Sequence, residues 1–140
     1  DSTYSYDGKF WNVSTANSGI ERAYYRDGIW VAVGSNLAGG NNSISYSSSG
    51  TQWTGLGTTV LSTGYGINYG NNLWVVGGSG TNTIAYSTNG ITWTSKVIPI
   101  TTQTNNIAYY NNLYVAKFLD EKGILPTNIE NNYKFEILIY

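Results

Sequence analysis

The stretch Thr83-Ile84-Ala85-Tyr86-Ser87-Thr88-Asn89-Gly90-Ile91-Thr92-Trp93-Thr94 follows Ser43-Ile44-Ser45-Tyr46-Ser47-Ser48-Ser49-Gly50-Thr51-Gln52-Trp53-Thr54 at an offset of 40, and the Tyr, Ser, Gly and Trp columns coincide. A third copy, Tyr4-Ser5-Tyr6-Asp7-Gly8-Lys9-Phe10-Trp11, places its Trp 42 positions before Trp53. Self-similarity at a period of a few tens of residues marks a repeat architecture, in which each unit must lean on its neighbours to bury an apolar face.

A second motif alternates with the first. It reads Tyr25-Arg26-Asp27-Gly28-Ile29-Trp30-Val31, then Tyr69-Gly70-Asn71-Asn72-Leu73-Trp74-Val75, then Tyr109-Tyr110-Asn111-Asn112-Leu113-Tyr114-Val115, with Trp30, Trp74 and Tyr114 in one column. Asp-Gly and Asn-Asn tolerate the positive φ that two-residue hairpin loops demand, so each copy reads as strand, tight turn, strand. The Ser-x-x-Gly motif makes a second hairpin. One unit is then four strands, near residues 66–69, 73–79, 83–87 and 91–95. Apolar spacing of period two, with no 3.6-residue stripe, predicts an all-β chain.

Such a sheet is apolar on both faces and has to stack on sheets of its own kind. The sequence therefore predicts β-propeller blades: four-stranded antiparallel repeats of about 40 residues. Residues 1–117 divide into a half blade at 1–13, full blades at 20–55 and 65–97, and a half blade at 105–117, about three blades in all. Propellers close with roughly four to eight blades. The expectation is a partial propeller, completed by self-association or by the remainder of a longer propeller. Residues 118–140 diverge, holding six of the chain's 15 charged residues. They read as a tail that caps the last blade, contacts a partner or continues a degenerate blade.

The hairpin motif Ser-x-Asp-Gly-x-x-Trp resembles the Asp-box, or BNR repeat, of sialidase-like β-propellers. Ser5, Asp7, Gly8 and Trp11 match it fully. Ser87, Asn89, Gly90 and Trp93 match with Asn for Asp, and Ser47, Ser49, Gly50 and Trp53 with Ser there. All three side chains are short and can hydrogen-bond the backbone of their own turn. The resemblance implies that the box staples the hairpin between third and fourth strands, away from the catalytic pocket. It also implies, for enzymes of the family, an arginine cluster for a substrate carboxylate, a Tyr and Glu nucleophile pair and an Asp acid. This chain has two arginines, Arg22 and Arg26, four residues apart in one strand, which cannot surround a carboxylate.

Composition removes further chemistry. With no His and no Cys, the commonest general base, metal ligand and thiolate nucleophile are absent, so no cofactor and no metal site are expected. Charged residues make up 11% and the formal net charge is −1, unlike the basic surface that neutralises nucleic-acid phosphates. No run of apolar residues is long enough for membrane insertion as a helix. Asp7 and Asp27 fall in hairpin turns rather than facing each other across a glycosidic bond.

Binding remains. The loops at residues 13–19, 35–42, 55–63, 78–82 and 98–104, rich in Asn, Thr and Gly, offer amide and hydroxyl partners to a polar ligand such as a glycan. The candidate ligand residues are Asn36, Asn41, Asn42, Asn82, Arg22 and Thr104, and no catalytic residue is assigned. Asn12 and Asn41 open Asn-x-Ser sequons, which bear on a secretory route. The expectation is a non-enzymatic recognition or structural module, displayed outside the cell or on a virion. Its rivals are a fragment of a sialidase-like glycoside hydrolase whose catalytic residues lie elsewhere, and a purely architectural coat or fibre subunit.

Overall fold

The computed structural model describes residues 2–14, 17–96, 103–118 and 132–135. Along them run β1 (Ser2–Tyr4), β2 (Asn12–Ser14), β3 (Ile20–Arg26), β4 (Ile29–Gly34), β5 (Ile44–Ser47), β6 (Thr54–Gly55) and β7 (Thr63–Gly70), followed by β8 (Leu73–Ser79), β9 (Ile84–Ser87), β10 (Thr94–Lys96), β11 (Thr104–Tyr110), β12 (Leu113–Phe118) and β13 (Asn132–Phe135). A single 3₁₀ turn, Leu37–Gly39, interrupts them, and no α-helix occurs among the described residues. The all-β prediction holds.

Every pairing is antiparallel, and strands follow chain order within each sheet: β1-β2 in sheet 1, β3 to β6 in sheet 2, β7 to β10 in sheet 3, β11 to β13 in sheet 4. No sheet closes on itself among the described residues. Sheets 2 and 3 repeat one register. Trp30 stands opposite Ser47 and Val31 opposite Tyr46 in the first, Trp74 opposite Ser87 and Val75 opposite Tyr86 in the second. The two-residue turns form as the sequence predicts, with φ of 52° and 82° at Asp27 and Gly28, 47° and 58° at Asn71 and Asn72, and 51° and 59° at Asn111 and Asn112.

Period-two alternation explains how the sheets stack. On β8, Trp74 and Val76 join Val31, Val33 and Ile44 of sheet 2 in one apolar layer, together with Leu61, Ile67 and Ala85. Leu73 and Val75, one residue out of phase, join Ile107, Tyr114 and Ala116 of sheet 4 in another, with Ile84. Sheet 3 is thus apolar on both faces and covered on both. Each Val, Leu or Ile among them, fully withdrawn from water, contributes about 1.5–3 kcal/mol. Close approach is made possible by glycine on β7, which packs against β3 and β4 on one side and β11 on the other. A Cβ on Gly66 would lie 2.9 Å from the Asn106 Cα.

One detail differs from the sequence reading. The fourth strand of sheet 3 begins at Thr94, not residue 91, because Ile91 and Thr92 donate their backbone N–H groups to the Asn89 side chain and belong to the turn. In the divergent tail, β13 pairs with β12, placing Phe135 opposite Tyr114 and Tyr133 opposite Ala116. A strand from the tail therefore occupies the third position of sheet 4.

Candidate functional site

The molecule has two ends. At one lie the two-residue turns and the Ser-x-x-Gly hairpins; at the other lie the longer connections between second and third strands and between successive sheets.

The hairpin turns are three copies of one hydrogen-bonded device. In the first, Gly8 N donates to Ser5 Oγ at 2.8 Å, and Lys9 N and Phe10 N donate to Asp7 Oδ1 at 2.8 and 2.9 Å. The third repeats this with Gly90 N to Ser87 Oγ at 2.8 Å, and Ile91 N and Thr92 N to Asn89 Oδ1 at 2.9 and 2.8 Å. In the second, Ser49 Oγ accepts from Thr51 N and Gln52 N at 3.2 Å each, the shorter side chain reaching less far. Each Trp indole N–H, on Trp11, Trp53 and Trp93, donates to the carbonyl of Gly8, Gly50 and Gly90 respectively. Those glycines share φ values of 75°, 78° and 76°, in the left-handed region that only glycine enters without strain. The Asp7 carboxyl is held below its ordinary range, first by the Phe10 N–H and next by that of Lys9.

The acids of the turn end are therefore engaged locally. Asp27 accepts the Tyr69 phenol at 3.0 Å across the gap between sheets 2 and 3, and stands 3.4 Å from Arg26. The Arg26 guanidinium lies 5.5 Å over the Tyr69 ring. Burial, and then the bond to Asp27, raise the Tyr69 phenol. Tyr114 shares its hydroxyl proton between the Gly70 and Leu73 carbonyls, 2.5 and 3.0 Å away, and burial pushes that phenol up. These are latches between sheets. No cluster of His, Cys, Asp or Glu able to hold a metal occurs among the described residues.

At the loop end, the six candidate residues divide. Asn42 donates to the Leu37 carbonyl at 2.7 Å and accepts from Gly57 N at 2.8 Å, tying two loops of sheet 2 together. Asn82, its equivalent 40 positions on, donates to the Val60 carbonyl at 3.2 Å. Thr104 is fully buried at the start of β11. Asn36, Asn41 and Arg22 are exposed, Asn36 with a left-handed φ of 54°. The candidate loop at 98–104 lies outside the described residues up to position 102.

Sequence reasoning missed Asn17. It is fully buried, accepts from Ala38 N at 2.7 Å and donates to Ser45 Oγ at 3.3 Å, so it stitches the connection after sheet 1 to sheet 2. No spacing could have marked it, because the repeat places no Asn at its equivalents.

Two clefts open beside the stapled hairpins. One, of about 450 Å³, lies between sheets 1 and 2 and is lined by Tyr4, Tyr6, Trp11, Trp30 and Trp53. The other, of about 600 Å³, lies between the second and third hairpin turns, against Tyr46, Gln52, Trp53 and Ile91. Neither touches the six candidate residues. Compared with protein-family models and with curated proteins, the chain matches none.

Proposed function

We propose that the chain is a non-catalytic recognition module made of β-propeller blades of the Asp-box, sialidase-like kind, and that its loop end takes a neutral polar ligand of the glycan class. The observation that carries this reading is the threefold recurrence of one stapled hairpin on sheets 1, 2 and 3, the last two of which stack face to face. Stapling fixes one end of sheets 1, 2 and 3 and leaves the opposite end to vary, which is where a repeat scaffold carries its binding residues. Asp7 and Asp27 are bound within or beside their own turns, so neither is poised as an acid or base. The exposed Asn36, Asn41 and Arg22 supply amide and guanidinium donors at that end.

A glycan array with the whole chain, followed by incubation of any bound glycan, tests this. Binding without hydrolysis, weakened several-fold by Asn41→Ala, supports the proposal. Release of sugar from a sialoside or β-glycoside overturns it in favour of a hydrolase fragment. The absence of any bound glycan overturns the ligand and leaves an architectural subunit.

A further inference from the structure

The register shared by sheets 2 and 3 says what a strand in third position must look like. Opposite Trp30 and Trp74 stand Ser47 and Ser87; opposite Val31 and Val75 stand Tyr46 and Tyr86; opposite Ala32 and Val76 stand Ser45 and Ala85. The first and last of these columns are buried and small: Ser45 and Ala85 are fully buried, and Ser47 and Ser87 nearly so. Aligned on the repeat, the segment Thr3-Tyr4-Ser5 supplies that pattern. It would place Ser5 opposite Tyr114, Tyr4 opposite Val115 and Thr3 opposite Ala116. The strand now in that position, β13, brings Phe135, Lys134 and Tyr133 instead. Two bulky residues stand where the repeat requires small ones.

The complementary defect lies in sheet 1. It is a lone two-stranded ribbon, a form of marginal stability, and β1 has no partner on its other side among the described residues. Sheet 1 holds two strands among the described residues, and none of those residues covers Trp30 as sheet 2 covers Trp74. Trp74 is 2% exposed, under Tyr24 and against Val31, whereas Trp30 is half-buried and borders the 450 Å³ cleft. Meanwhile Val115 and Leu113 of β12, the equivalents of Val31 and Ile29, alternate with Tyr114 and Ala116, which face sheet 3, and so present the outer face of sheet 4.

We propose that the β1-β2 hairpin of one copy of this chain pairs with β12 of a second copy, displacing β13, with Tyr4 opposite Val115. One act then joins the two sheet edges, lays Val115 and Leu113 over Trp30, and covers the aromatic cleft. Reciprocal exchange gives a two-fold dimer of six sheets: two complete ones from each copy and two hybrids. β13 acts as an internal stand-in that protects the β12 edge before assembly. This exchange is independent of whether the loop end binds a glycan.

The chain has no native cysteine, so introduced pairs report without interference. Two variants of the full chain, Tyr4→Cys with Val115→Cys and Thr3→Cys with Ala116→Cys, sample neighbouring pairs, one of which has the closer spacing of an antiparallel ladder. Under mild oxidation at least one should migrate as a covalent dimer on a non-reducing gel. A Tyr4→Cys, Tyr110→Cys control, out of register, should not. Light scattering on the unmodified chain should give twice 15.3 kDa. Tyr133→Pro with Lys134→Pro, which removes a ladder donor from β13 whichever way it faces, should tighten the dimer about tenfold. A monomeric mass at every concentration, disulfides only within one chain, or a dimer no tighter in the proline variant would each overturn the proposal.

Discussion

The first and third stapled hairpins share almost every hydrogen bond, yet they sit in opposite surroundings. Gly90 is buried, and a Cβ there would meet Val31 Cγ2 at 2.9 Å; around Gly8 nothing lies within 4 Å. Trp93 packs against the apolar layer between sheets 2 and 3, while Trp11 is 61% exposed, with Tyr6 and Phe10 exposed beside it at 86% and 78%. The contrast separates two causes that usually coincide. The turn is made by its own Ser, Asp or Asn, and Gly, whether or not anything packs on it. Burial is made by the neighbouring sheet, and among the described residues sheet 1 has one such neighbour where sheet 3 has two.

The largest break in this comparison should come from the paired aromatics behind the turns. Trp74 lies 4.9 Å from Tyr69 and 5.9 Å from Tyr24, ring centre to ring centre, and is almost fully buried. Trp74→Ala should cost about 3–5 kcal/mol, the range for removing a buried aromatic. Trp30 touches Tyr25 at 5.0 Å but borders the open cleft, so Trp30→Ala should cost about 1–2 kcal/mol, in proportion to the smaller area withdrawn from water. Urea denaturation of the two variants measures both. Equal losses would mean that the cleft is filled in solution, as the dimer requires, so the pair should be compared below and above the association midpoint.

Substitution of the two turn glycines should separate strain from packing. Gly8→Ala meets only the left-handed φ of 75°, a cost of about 1–2 kcal/mol. Gly90→Ala carries the same strain and presses on Val31, adding about 1–3 kcal/mol of overpacking. A difference below measurement error would show that Val31 yields freely and that the layer between sheets 2 and 3 is looser than its burial suggests.

Most of this architecture was legible from the chain because its signals are local and repeated. Asp27-Gly28, Asn71-Asn72 and Asn111-Asn112 specify their turns through backbone φ alone, and period-two alternation in Trp74-Val75-Val76 specifies two apolar faces without reference to any partner. Trp53 and Trp93, which the repeat aligned, make the same bond to their own glycines. What stayed hidden depends on the approach of distant segments. Asn42 and Asn82 look like ligand residues in a polar loop, but their amides are used to bind loop carbonyls. Thr104 looks like a strand-end hydroxyl and is a fully buried neighbour of Gly77. For β13 the sequence left continuation of a blade as one of three readings and gave no register, because residues 118–140 abandon the columns that gave the other strands their place.

The finest distinction between the two hairpins is titratable. Asp7 and Asn89 perform the same task, accepting from two successive backbone N–H groups, but only the Asp7 acceptor carries a charge, which protonation removes and so weakens both bonds. Its pKa is lowered in the folded state, chiefly by the Phe10 and Lys9 N–H groups. A lowered folded value means that the carboxylate stabilises the turn above the unfolded value of about 3.9, and that this contribution fades as pH falls from there through the folded value. Asp7→Asn, which copies the third hairpin into the first, has no such loss. Thermal midpoints of the two chains should therefore run parallel near pH 7 and draw apart below about pH 4, with the unmodified chain falling further. Parallel curves down to pH 2 would mean that the first hairpin is already open in acid, or that its turn does not depend on the Asp7 carboxylate; amide exchange at Lys9 and Phe10 tells these apart, since only the first leaves both protons unprotected.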